Sequence, residues 1–145
     1  MRIARQAYMG LAYLFVLGVV IQVFLAGLGI FGDNLQFAEG DDLDPHRFFG
    51  FVVMHIIPIL MFIAALVGRM RWTFIGLTVL LFLMVFLQSA WVSHGNPNWV
   101  QAIHPTMAIF MFALAHFLAQ RAGRLVKGET VLGAQPGPAP APAGG

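Results

Sequence analysis

Residues 72–120, WTFIGLTVLLFLMVFLQSAWVSHGNPNWVQAIHPTMAIFMFALAHFLAQ, contain no Asp, Glu, Lys or Arg. A helix needs about 20 apolar residues to cross roughly 30 Å of hydrocarbon, so this stretch is long enough for two crossings. The break between them falls at Ser93-His94-Gly95-Asn96-Pro97-Asn98, a run of turn formers between two apolar runs. Working outward, Gln6 to Gly32 and Phe48 to Gly68 are also free of charge. The sequence therefore predicts an all-α integral membrane four-helix bundle, with spans at about 7–32, 46–68, 72–92 and 104–122.

Composition points the same way. Of 145 residues, 59% are hydrophobic and 10% charged, with a mean hydropathy of +0.82. An ordinary soluble domain carries about 25% charged residues, and a small body has much surface to cover. Both a soluble globule and a disordered chain are excluded. The net charge of +2 comes from a few basic residues and gives no ground for nucleic-acid binding. The chain has no cysteine, which removes disulfides, thiolate metal sites, iron–sulfur clusters and covalent c-type haem attachment together.

Charge also sets an expected direction. Arg2 and Arg5 precede the first span, Arg69 and Arg71 lie between the second and third, and Arg121, Arg124 and Lys127 follow the fourth. The other side holds Arg47 with Asp33, Glu39, Asp41, Asp42 and Asp44, a segment read as a solvated loop. The positive-inside rule then makes the bundle up-down-up-down with both termini cytoplasmic. Tyr8, Trp72, Trp91 and Trp99 fall near span ends, where amphipathic rings favour the interface. The first apolar run is too long for a signal peptide and is read as an uncleaved anchor. Residues 1–127 form the membrane domain. Residues 128–145, ending in the Pro/Ala/Gly run GAQPGPAPAPAGG, read as a disordered cytoplasmic tail.

Gly27-Leu28-Gly29-Ile30-Phe31-Gly32 matches the GxGxxG pattern, but it ends a membrane span with no preceding strand, so the nucleotide reading fails. Glycines there would let a helix or a flat ligand approach closely.

Ionisable residues inside a membrane are costly, and each is a functional hypothesis by default. Here they are histidines on alternate spans: His46 and His55 on the second, His104 and His116 on the fourth. His94 falls in the short outer loop and reads as a solvated turn residue. Gln22 and Gln88 are the strongly polar groups of the other two spans. In a four-helix bundle the second and fourth helices face each other diagonally, and two inward imidazoles are what axial haem ligation requires. Asp44-Pro45 and His104-Pro105 both read as an N-cap followed by a helical proline, which puts His46 and His104 at one level. Gly50 and Ala64 share the His46 face, and Ala108 and Ala115 the His104 face, leaving room for a porphyrin. Arg47 is placed to pair with a propionate.

His55 and His116 fit less well as a second pair. Nine residues from His46 to His55 rise about 13.5 Å and turn about 180°; twelve from His104 to His116 rise about 18 Å and turn about 120°. Pro58 could kink the helix and relax this mismatch, and a cross-pairing of His55 with His104 stays open. One haem is favoured over two. Two other readings stand beside it. The polar groups could act only as interhelical glue in a cofactor-free accessory subunit. Met54, Met107 and Met111 beside the histidines could instead suit copper, although Met is also common core filler.

The run Ile21 to Gly29 (IQVFLAGLG), His46-Arg47-Phe48-Phe49-Gly50, Gln88 and His104-Pro105 resemble an uncharacterised family of small four-span bacterial membrane proteins, over nearly the whole chain except the tail. The resemblance implies the four-helix fold and no assigned activity. The histidine layout is also similar to that of four-helix b-type membrane cytochromes, though their paired ligands share one helix face and these do not. The leading expectation is a b-type haem protein for electron transfer, with His46 and His104 as axial ligands and a redox complex or quinone as partner. No nucleophile–base arrangement or intramembrane carboxylate suggests an enzyme.

Overall fold

The structure is a computed structural model and describes residues 1–31, 43–90 and 98–128. These residues form four α-helices: α1 (Arg2–Phe31), α2 (Asp44–Val67), α3 (Trp72–Ala90) and α4 (Asn98–Val126). All four are long and apolar enough to cross a membrane, so the chain is a multi-pass membrane protein. The acidic segment up to Asp42, Gly32, Trp91, His94 and the tail beyond Gly128 lie outside the described residues.

Two boundaries differ from the sequence reading. The N-cap of α2 is Leu43, without a side-chain cap bond, and Asp44 and Pro45 are its first helical residues. Proline loses nothing there because a first-turn N–H has no helical partner, and Asp44 meets the positive end of the helix dipole. His104 is not a cap at all. It lies within α4, with Pro105 inside the helix. The turn formers beyond Pro97 were read as loop, but Asn98 to Ile103 add a turn and a half of helix ahead of His104. Pro105 then costs the ladder one hydrogen bond. Both α1 and α4 also outrun their predicted spans, because hydropathy counts only the hydrocarbon. Arg2, Arg5 and Arg124 ride on the extra turns.

The helices pack in a ring, α1 on α2 and α4, and α3 on α2 and α4, with α3 and α4 the sparsest seam. Buried residues form one inward stripe per helix: Tyr8, Ala12, Phe15 and Val19 on α1; Met54, Ile57, Met61 and Ala65 on α2; Phe74, Thr78, Leu81 and Val85 on α3; Met111, Ala115, Leu118 and Ala122 on α4. Steps of three and four are the spacing of knobs-into-holes bundles. The opposite faces carry exposed Phe24, Phe51 and Ile109, as lipid contact requires. Gly18 lets Met54 reach α1, since a Cβ there would stand 2.7 Å from the Met54 sulfur.

Two levels of this bundle are polar. At the end where the Arg5 side chain donates to the Gly68 carbonyl at 3.1 Å, Tyr8 reaches across to Thr78. At the other end, the same stripes continue to Gln22 on α1, His46 and Gly50 on α2, Gln88 on α3 and His104 on α4.

Candidate functional site

This second level, the histidine end, joins all four helices. The His46 and His104 rings lie 5.8 Å apart between centroids, tilted by 57°, across the diagonal from α2 to α4. Each stands on the inward stripe of its helix. Four residues separate His46 from Gly50 and Gly50 from Met54; His104 is four before Ala108, which is three before Met111.

Hydrogen bonds orient both rings. His46 Nδ1 lies 3.1 Å from the Gln22 backbone oxygen. A carbonyl can only accept, so Nδ1 carries the proton and Nε2 of the neutral ring keeps the lone pair. His104 Nε2 lies 3.2 Å from the Gln88 amide nitrogen. With the amide in this orientation the nitrogen donates and His104 Nε2 is the lone-pair nitrogen. A ring nitrogen held by a carbonyl while the other is left as a donor pair is the arrangement of metal-ligating histidines.

Both glutamines carry an unpaired oxygen. The side-chain oxygens of Gln22 and Gln88 are buried without a hydrogen-bond partner. Turning the Gln88 amide over would give His104 an acceptor and leave the amide nitrogen orphaned instead. Leaving a buried polar atom unpaired costs about 1–3 kcal/mol. Gln88 is 8% exposed, so water does not make up the loss from outside.

The space beside Gly50 is occupied. A Cβ there would stand 2.5 Å from the Gln22 amide nitrogen. The space is taken by the Gln22 amide, which lies over the α2 backbone beside His46. Gly27, by contrast, has nothing within 4 Å of a Cβ position among the described residues. Ala108 lines the core and Ala115 is fully buried in it. Arg47 is exposed and pairs with Asp44 at 3.3 Å, one turn away.

The other two histidines are not brought together. His55 is turned half a circle from His46 and meets α3: its Nδ1 donates to the Gly50 carbonyl at 3.1 Å, and its Nε2 accepts from the Ser89 hydroxyl at 3.0 Å. Both nitrogens are taken. α2 is a continuous helix through the buried Pro58. His116 is exposed, bonded to Gln120 at 2.8 Å on its own helix, stacked on Phe112 and near Tyr13 of α1. Met54 and Met111 are core residues and Met107 is half-buried. Among the described residues, no group of three or more His, Cys, Asp or Glu gathers in metal-binding geometry.

Sequence reasoning gave Gln22 and Gln88 only a general role as interhelical hydrogen-bond formers. Their signal was the heptad step: Gln22 stands three after Val19, and Gln88 three after Val85.

Residues 22–95 match a family of unknown function, DUF6220. The matched segment contains Gln22, His46, Gly50, His55 and Gln88. No curated protein and no solved structure matches the chain.

Proposed function

The chain belongs to the DUF6220 family, and from the geometry of its histidine end we propose that it is a small b-type haem protein serving electron transfer. It sits in a bacterial cytoplasmic membrane, its helices running up-down-up-down with both termini inside. The supporting observation for that direction is seven of eight basic residues at one end.

One observation carries the haem reading: two imidazoles on diagonally opposed helices, each with an Nε2 lone pair, 5.8 Å apart. The separation would let both side chains reach one haem iron between them. Haem iron held this way has no open position and exchanges single electrons. His46 and His104 would be the axial ligands, and the Gln22 carbonyl would hold the His46 ring in place. Arg47, one residue from His46 and near the membrane surface, would turn from Asp44 to a propionate. For a haem to be held between the rings, the Gln22 and Gln88 amides would have to move aside. Both are ends of flexible side chains, and each now carries a buried oxygen with no partner, so moving them loses little.

The test is a spectrum of protein purified in mild detergent from haem-replete cells, before and after dithionite. The proposal expects a sharp reduced α-band of low-spin b haem. A colourless protein would leave the second reading, a cofactor-free accessory subunit. That reading draws on the same polar level: His46 to Gln22 ties α2 to α1, and Gln88 to His104 ties α3 to α4.

A further inference from the structure

We infer that the seam between α3 and α4, at the end remote from the histidines, holds one anionic phospholipid. This site is separate from the proposed haem level and stands or falls independently of it. The seam is the least tightly packed in the ring, and it contains a cavity of about 80 Å³. Phe74 and Leu77 of α3 and Phe117 and Leu118 of α4 form its walls, with Arg71, Thr73 and Arg121 also lining it.

Its chemistry is divided along its length. One water occupies about 30 Å³ and needs two or more polar partners; the four apolar walls offer none, so hydrocarbon is the better filler there. At the mouth the character reverses. Arg71 stands immediately before α3 and Thr73 is its second residue. Arg121 approaches from α4 with its guanidinium 5.1 Å from the Phe117 ring centroid, held along the cavity wall. Two guanidiniums and a hydroxyl beside the positive end of a helix dipole suit a phosphodiester. A basic pocket between membrane helices at the interface is a headgroup site, and the cleft behind it takes acyl chain. Exposed Trp72 sits at the same level, where indole marks the interface. A phosphate and a hydrocarbon chain joined in one molecule match this surface; a free anion uses only its mouth.

The test is lipid retention by the full chain, read by native mass spectrometry from mixed micelles of phosphatidylglycerol and phosphatidylcholine with identical acyl chains. Each interfacial arginine contributes about fivefold to binding an anionic lipid, so the pair predicts a preference of about 30-fold. Arg71→Gln with Arg121→Gln should remove the preference, and replacing both by Lys should keep part of it. Leu77→Phe, which fills the cavity, should lower retention of phosphatidylglycerol while the arginines remain. Equal retention of the two lipids by the unaltered protein overturns the proposal without any variant having to fold. So does displacement of the lipid by inorganic phosphate at millimolar concentration, which would assign the arginines to a free anion.

Discussion

Tyr8 with Thr78 and Gln88 with His104 are both polar side-chain pairs on the inward stripes of the same bundle, yet they are built to opposite standards. At the arginine end every proton is placed. Thr78 donates to the Phe74 carbonyl at 2.8 Å, so Tyr8 must donate to Thr78 at 2.7 Å, and the Phe74 ring meets Tyr8 edge-on at 5.9 Å. Both residues are fully buried and nothing is left over. At the histidine end two amide oxygens are unpaired and two imidazole rings lie 5.8 Å apart between centroids. A complete chain of donors and acceptors holds helices together. An incomplete one leaves polar atoms over, and on the function proposed above those atoms belong to a binding site.

Disrupting the arginine end should give the largest stability change. Tyr8→Ala removes a fully buried ring and is expected to cost about 3–5 kcal/mol, measured by reversible unfolding in bilayers or bicelles. A loss under 1 kcal/mol would show that the arginine end does not hold the bundle. Tyr8→Phe keeps the ring and loses one bond, for about 1 kcal/mol. A double-mutant cycle sharpens the contrast. Coupling of Tyr8→Phe with Thr78→Val should approach that value, whereas Gln88→Leu with His104→Leu should couple by only a few tenths, because the glutamine is half-satisfied already. Equal couplings would erase the distinction. Gln88→Leu alone removes an orphan oxygen and exposes His104 Nε2, so stability should change by less than about 0.5 kcal/mol. Haem content after purification should not fall. The smallest effect belongs to Gly50→Ala. Its Cβ moves only the far end of the Gln22 side chain, and better helix propensity offsets the shift, giving a change within about 0.5 kcal/mol.

The membrane spans were legible because hydrocarbon imposes length and excludes charge, and both are visible in residues 72–120. Which face of each span points inward was not. In water an amphipathic stripe marks the core, but here Phe24 and Phe15 are equally apolar and one faces outward while the other is buried. The polar residues carried what directional signal there was. His46 and His104 could be paired by level, and the half-turn between His46 and His55 already separated those two. What stands against Gly50 was hidden for a related reason. Its small size was visible, but its neighbour on α1 is Gln22, and only packing reveals that the vacancy is filled by an amide. The placement of His104 inside α4, a turn and a half from where the helix begins, was hidden by the proline after it.

The central claim is that His46 and His104 form one ligand pair while His55 and His116 serve elsewhere. Electron paramagnetic resonance of the oxidised protein reads this most directly, on the unaltered chain and on single His→Ala variants. The account predicts a low-spin ferric signal of bis-imidazole type that turns high-spin or vanishes in His46→Ala and in His104→Ala, and persists in His116→Ala. A low-spin signal that survives both of the first two substitutions, or one lost only with His55 or His116, would contradict it.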